Sequence, residues 1–383
     1  MKTSSRSAVD PFIVMDVARA AAEAEAAGRH IVHMEIGQPG SPAPRSAHDA
    51  LAQALGASAP LGYTVALGLP ALRAGIARLY GDWYGVDLDP GRVIVTAGSS
   101  GAFVLAFTAL FDTGARVGVS EPGYPSYRQI LKALAMTPVG VPTGDAAGHR
   151  MGPGDVPGDL DGLIVASPAN PTGTILDHAG LGALVDTCAS QGTALISDEI
   201  YHGLHFADRA TSALELTDDV IVVNSFSKYF CMTGWRVGWM VVPPGMVRTV
   251  ERLAQNLFIC PPHASQVAAI GALEGRDEAE AVRASYAENR RLLLDGLPRA
   301  GFDRIAPPDG AFYIYADVSH LTDDSLSFAR DILDRAGVAV TPGLDFDPVR
   351  GHGTLRFSYA AATADIREGL ARLTAYMRAR GAA

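Results

Sequence analysis

Between residues 92 and 242 the chain repeats one pattern that leaves few folds open. Short apolar runs recur: "RVIVTA" (92–97), "RVGVS" (116–120), "GLIVAS" (162–167), "TALISD" (193–198), "VIVVNS" (220–225) and "VGWMVV" (237–242). Each is too short for a helix and is apolar at successive positions, so both faces of the strand it forms must be covered. Helical patterns such as "SSGAFVLAFTALFD" and "DHAGLGALVDTCASQG" fall between them. Strand and helix alternating at this spacing predict an α/β fold, with a mostly parallel central sheet flanked by helices.

The ends of the chain read differently. "VARAAAEAEAAGRH" predicts an alanine-rich helix stopped near Gly28, followed by the glycine- and proline-rich link "HMEIGQPGSPAP". After the helical stretch "EAEAVRASYAENRRLLLDGL", the segments "GAFYIYADV", "VAVTPG" and "GTLRFSYA" read as strands of a smaller α+β unit, closed by a helix at "DIREGLARLTAYMRARG". The expected division is a large domain over 44–284 and a small domain built from 1–43 and 285–383.

Charge and cysteine usage narrow the partners. The 383 residues carry a formal net charge of -10 and no dense Lys/Arg run, which argues against nucleic acid and against anionic membranes. A site for an anionic small molecule must then be built locally, from a few arginines and backbone amides. Cys188, Cys231 and Cys260 lie far apart with no CxxC pair, giving neither a disulfide framework nor zinc spacing. Asp10, Pro11 and Asp16 interrupt any apolar core of a signal peptide, and no run approaches the length of a membrane span. The expectation is a soluble cytoplasmic protein.

Ligands of open parallel sheets bind outside the carboxyl ends of the strands, and there the polar residues collect. "VIVTA" is followed by Gly98, Ser99, Ser100 and Gly101, a small-residue loop opening a helix and suited to a phosphate. "VGVS" leads to Tyr124, "LIVAS" to Asn170, "ALIS" to Asp198 and Tyr201, and "VIVV" to Ser225, Ser227 and Lys228. Alone, each has a plainer reading: a flexible turn for the glycine-serine loop, a turn residue for Asn170, a core ring for Tyr124. Asp198, Glu199 and His202 hint at a metal, but no further ligand follows at helical or hairpin spacing, so none is expected. A GxGxxG after the first strand is absent.

The stretch "NSFSKYFCMTGWRVGW" (224–239) sets Lys228 and Arg236 among aromatics, Met232 and glycines. An unpaired buried ammonium is costly. A ligand bearing a phosphate, an aromatic ring, a ring nitrogen and a carbonyl removes that cost and uses every strand-end residue at once. Its carbonyl condenses with Lys228. Arg236 and the serines take the phosphate by charge-assisted bonds of roughly 1.5–3 kcal/mol apiece. Asp198 keeps the ring nitrogen protonated, an attraction on the order of 4 kcal/mol at about 4 Å and an effective dielectric near 20. The expected ligand is pyridoxal 5′-phosphate, whose charged ring is an electron sink.

With "GYTVALGLPALR", "NPTG", "SDEIY" and "SFSKYFCMTGWRVGW" in this order, the chain resembles the fold-type I pyridoxal-phosphate enzymes. Within them it resembles the class I/II aminotransferases that include aspartate aminotransferase, from "IGQPG" at 36–40 to "LRFSYA" at 355–360. The resemblance implies that Lys228 binds the cofactor covalently and shuttles the proton, and that Asp198 pairs with the ring nitrogen. Asn170 and Tyr201 would hydrogen-bond the ring oxygen, and Tyr124 would stack on the ring. Ser99, Ser100, Ser225, Ser227 and Arg236 would hold the phosphate; Ser99 stands where the family often has a glycine. It further implies a homodimer with Tyr63 reaching the neighbouring subunit's phosphate. Arg356 would fork the substrate carboxylate, helped by the backbone at Gly37 and by Asn170. A lone strand arginine is ordinarily a surface residue, so Arg356 rests on the resemblance. The implied reaction is ping-pong transfer of an α-amino group to a 2-oxo acid, with neutral or hydrophobic donors favoured because no second cation is assignable to a distal carboxylate.

The same constellation also serves an eliminating C–S lyase, since the fate of the carbanion depends on pocket geometry. A ligand-sensing DNA-binding regulator would need an added N-terminal helix-turn-helix, and only about 40 residues precede the resemblance.

Overall fold

The computed structural model describes residues 1–381. Its first strand, β1 (Val32–His33), precedes seven that form one sheet: β2 (Val93–Thr96), β3 (Arg116–Glu121), β4 (Thr137–Pro142), β5 (Gly162–Ala166), β6 (Ala194–Asp198), β7 (Ile221–Ser225) and β8 (Gly238–Val241). Their order is β2-β8-β7-β6-β5-β3-β4. Only β8 runs antiparallel to its neighbours; the pairs among β3 to β7 are parallel. The mostly parallel α/β sheet expected from the sequence is therefore present.

Each apolar run splits by alternation between two cores, one on each face of the sheet. Val93, Val95, Leu163, Val165, Leu195, Val222, Trp239 and Val241 belong to one. Ile94, Ile164, Ile196, Ile221, Val223 and Met240 belong to the other. The sequence reading omitted β4. Pro138, Gly140 and Pro142 make it a poor strand by composition, but it lies at the sheet edge with β3 as its one partner. Proline is tolerated there because no ladder bond on the open side is lost.

The later strands are β9 (Arg304–Ile305), β10 (Tyr313–Asp317), β11 (Val338–Ala339), β12 (Thr341–Pro342) and β13 (Thr354–Ser358). β12-β13-β10-β9 form an antiparallel sheet, and β1 pairs in parallel with β11, tying the N-terminal segment to the C-terminal region. The N-terminal helix spans Ile13–Ala26, and Gly28 follows it at a φ of 86°. Among the described residues no helix is long and apolar enough to cross a membrane.

Candidate active site

Five strand ends and β13 converge on one cavity of about 210 Å³. At the end of β2, the helix Gly98–Leu110 begins without a side-chain cap and without an acidic residue in its first turn. Its first N–H groups are therefore free to meet an anion, in the field of the helix dipole. Gly98 has a φ of 73°, and a Cβ there would overlap the Arg236 guanidinium, so only glycine lets the two approach. Arg236 is itself at a φ of 54° and donates from Nη1 to the Thr233 carbonyl at 2.9 Å. Ser99, Ser100, Ser227, Thr233 and Arg236 share this end of the cavity wall.

Asp198, the last residue of β6, is buried. One carboxylate oxygen accepts the Ile200 N–H at 3.1 Å, and the other accepts the Tyr127 hydroxyl. Burial pushes its pKa up to about 6, against the pull of Tyr127, Ile200 and Lys228. Tyr124 stands over the same end, edge-on to Tyr127 at a centroid distance of 5.2 Å. Tyr201 is buried, and its hydroxyl lies 2.8 Å from that of Tyr313.

Lys228 projects after β7 and donates to the Gly37 carbonyl at 2.6 Å. Its pKa is pulled down to about 8, first by burial, then by Arg356 and Arg236, with Asp198 partly opposing. A pKa in that range suits an amine to both giving and taking a proton.

Arg356, on β13, is 3% exposed. It donates from Nη1 to Asn170 Oδ1 at 2.9 Å and from Nη2 to the Glu35 carbonyl, while Nε has no partner. Tyr313 and Phe346 flank the guanidinium, with ring centroids at 4.3 and 4.7 Å. No carboxylate of the described residues pairs with it. A buried guanidinium with a free N–H and no anion is unbalanced until a carboxylate arrives.

Gly37, Ser99, Ser100, Tyr124, Asn170, Asp198, Tyr201, Ser227, Lys228, Arg236 and Arg356, all expected from the sequence, line this cavity. Two others do not. The Ser225 hydroxyl lies behind the wall, donating to the Val237 carbonyl at 3.0 Å and touching the Ser227 hydroxyl at 2.8 Å. Tyr63 is 83% exposed and outside the cavity of its own chain. Sequence reasoning missed Tyr127, although it lies three residues after Tyr124, and Tyr313, which reads as an ordinary strand residue. It also missed the apolar part of the wall, Phe12, Val14, Met15 and Ile36, for which no local signal exists. A larger cavity of about 650 Å³ lies elsewhere. Two of its charged pairs, Arg304–Asp317 and Arg350–Asp347, are matched internally, and it holds neither a lysine nor an arginine without a carboxylate partner among the described residues.

The sequence pattern of aminotransferase class I and II matches residues 29–373. A valine–pyruvate aminotransferase of Mycobacterium tuberculosis is 46% identical over 385 residues, covering 98% of each chain. A solved chain from Silicibacter pomeroyi is 65% identical with a TM-score of 0.94, over 99% of this chain and all of that one. The aspartate aminotransferase of Thermus thermophilus with maleate is 30% identical with a TM-score of 0.91, over 98% and 99%. A fold by itself does not fix an activity. Here the agreement is in sequence as well as in fold and runs over nearly the whole chain, and the chain belongs to the class I and II aminotransferases, enzymes that transfer amino groups.

Proposed function

We propose that this aminotransferase works with pyridoxal 5′-phosphate and moves the α-amino group of a neutral, apolar amino acid to a 2-oxo acid in ping-pong order. The observation that carries the reading is Lys228, an amine with a pKa near 8 whose Nζ donates to the Gly37 carbonyl and, among the described residues, has no carboxylate salt bridge. The rest of the wall fits the cofactor's parts. The uncapped helix start at Gly98, with Ser99, Ser100, Ser227 and Arg236, suits a phosphate, and Ser225 supports Ser227 from behind. Asp198 suits a protonated ring nitrogen, Tyr124 a ring face, and Asn170 and Tyr201 a ring oxygen. When bound, the cofactor supplies an electron sink for charge leaving the substrate α-carbon.

The chain's own groups do the rest. Arg356, with its unpartnered Nε, takes the substrate carboxylate while Gly37 presents its backbone beside it. Lys228 Nζ would take the α-proton and hand it to the cofactor carbon that had carried the carbonyl oxygen, so that hydrolysis frees the 2-oxo acid and the nitrogen stays with the cofactor. With Arg236 and Arg356 assigned to anions, the wall holds no further arginine for a distal carboxylate, and Phe12, Val14, Met15 and Ile36 offer an apolar face. The name of the Mycobacterium tuberculosis relative, valine–pyruvate aminotransferase, agrees with this choice.

In this reading residues 44–284 form the cofactor-binding domain, and residues 1–43 with 285–383 the smaller one, as the β1–β11 pairing supports. A homodimer brings Tyr63 to the partner's phosphate site. Its support is the exposed apolar group Tyr63, Val65, Leu257, Phe258 and Ile259, where His263 bonds the Gly62 carbonyl at 2.8 Å. Three free cysteines suit the reducing cytoplasm.

The test is the visible spectrum of the purified protein supplemented with pyridoxal phosphate. Valine should remove the bound-cofactor band and pyruvate should restore it, and Lys228→Ala should abolish turnover. A protein that forms no such band, or a Lys228→Ala variant active at the wild-type rate, would overturn the proposal.

A further inference from the structure

The helix Ile13–Ala26 lacks a cap of its own. Its N-cap residue is Phe12, whose side chain cannot accept a hydrogen bond. The missing acceptor comes from far along the chain. One Asp345 carboxylate oxygen accepts the Ile13 N–H at 3.0 Å, and the other accepts the Val14 N–H at 3.1 Å. Asp345 is 3% exposed and no basic side chain bonds its carboxylate; Arg128 donates instead to the main-chain carbonyls of Asp345 and Phe346. A carboxylate held by two N–H groups at a helix N-terminus is a strong, directional fixture.

What it fixes matters for the site. Phe12, Val14 and Met15 form the apolar wall of the cavity, and Phe12 meets the Tyr124 ring edge-on at a centroid distance of 6.0 Å. The residue after Asp345 is Phe346, whose ring flanks the Arg356 guanidinium at 4.7 Å. A two-bond clamp and one peptide link thus relate the wall to the group that binds the substrate carboxylate.

We propose that Asp345 is a specificity-positioning residue, which sets the distance between Arg356 and the apolar wall and so the side-chain size that the site prefers. The inference rests on the proposed assignment of Arg356 to the carboxylate. A donor side chain too short to reach the wall does not feel the clamp, and one that touches it does. One methylene in a fitted pocket is worth roughly 10- to 200-fold in selectivity, so releasing the wall should erase about tenfold or more.

The experiment measures kcat/KM of the holoenzyme for alanine, valine, leucine and aspartate in wild type, Asp345→Asn and Asp345→Ala. Which donor is best in wild type judges the apolar-donor reading; aspartate ahead of valine would refute that reading alone. The Asp345 inference is judged separately, by the ratio of the best donor to alanine. That ratio should fall about tenfold in Asp345→Ala and by less in Asp345→Asn, which keeps one acceptor oxygen, while kcat/KM for alanine stays within about threefold. A ratio unchanged in both variants, or an equal loss for all donors, overturns it. Hydrogen exchange on the purified proteins gives a readout independent of turnover. The amides of Ile13 and Val14 should be protected in wild type and exchange faster in Asp345→Ala, and unchanged protection would also overturn the inference.

Discussion

Capture of pyridoxal phosphate by the cofactor-free protein should follow the titration of Lys228 with a midpoint near pH 8. The shift from the ordinary 10.5 comes first from burial, then from the positive charges of Arg356 and Arg236. At pH 7 an amine of pKa 8 is about 9% neutral, against about 0.03% for an ordinary lysine, an advantage of about 300-fold in the form that attacks a carbonyl. Stopped-flow absorbance of the capture rate from pH 6 to pH 10 reads this directly: the rate should climb through a half-maximal value near pH 8 and level off about one pH unit higher. Arg356→Met removes one of the depressing charges. Its midpoint should move upward, so capture slows at pH 7 and matches wild type once both amines are neutral. A wild-type midpoint in the ordinary lysine range, or an Arg356→Met midpoint at or below wild type, would refute the reasoning. The sign for stability is fixed by the same shift. The folded pKa lies below the unfolded one, so the unfolded chain binds more protons between pH 8 and 10.5. The cost of Lys228 is therefore fully present below pH 8 and fades as pH rises towards 10.5.

Tyr127→Phe removes one of the two donors to Asp198. A hydrogen bond to a charged acceptor is worth roughly 1.5–3 kcal/mol, about one to two pH units, so Asp198 should ionise above its present value of about 6. Infrared difference spectra against Asp198→Asn follow the carboxyl directly, and an unmoved midpoint would refute the role of Tyr127. Gly37→Ala places a Cβ on the Tyr313 hydroxyl. Overpacking of this kind costs about 1–3 kcal/mol, and it falls at the carbonyl that holds Lys228. Both the melting temperature and turnover should drop, and an alanine variant with wild-type values of each would contradict the contact.

The sheet and much of the site were legible in the sequence for local reasons. An apolar run of five residues bounded by glycine, proline or serine carries its strand identity in itself, and in a parallel sheet its carboxyl end points to the ligand edge. Ser99, Tyr124, Asn170, Asp198 and Lys228 follow such runs directly, so their shared location was readable before any packing was known. The strand β4 was not, because Pro138 and Pro142 argue against a strand unless it lies at an edge, and edge position is a property of the assembled sheet. Ser225 has the right place in sequence, but its hydroxyl is taken up by the Val237 carbonyl and the Ser227 hydroxyl, so Ser227 and not Ser225 lines the cavity. Arg356 reads as a surface residue until the sheet of β13 folds over Asn170 and buries it with Nε unpaired. The two hydrogen bonds from Ile13 and Val14 to Asp345 span more than 300 residues, and nothing in either segment announces the other. Periodicity and strand-end chemistry are written in neighbouring residues, so the sequence by itself determined the sheet and its ligand edge. Burial, charge balance and the apolar wall arise from segments that meet only on folding, so the tertiary structure alone decided them.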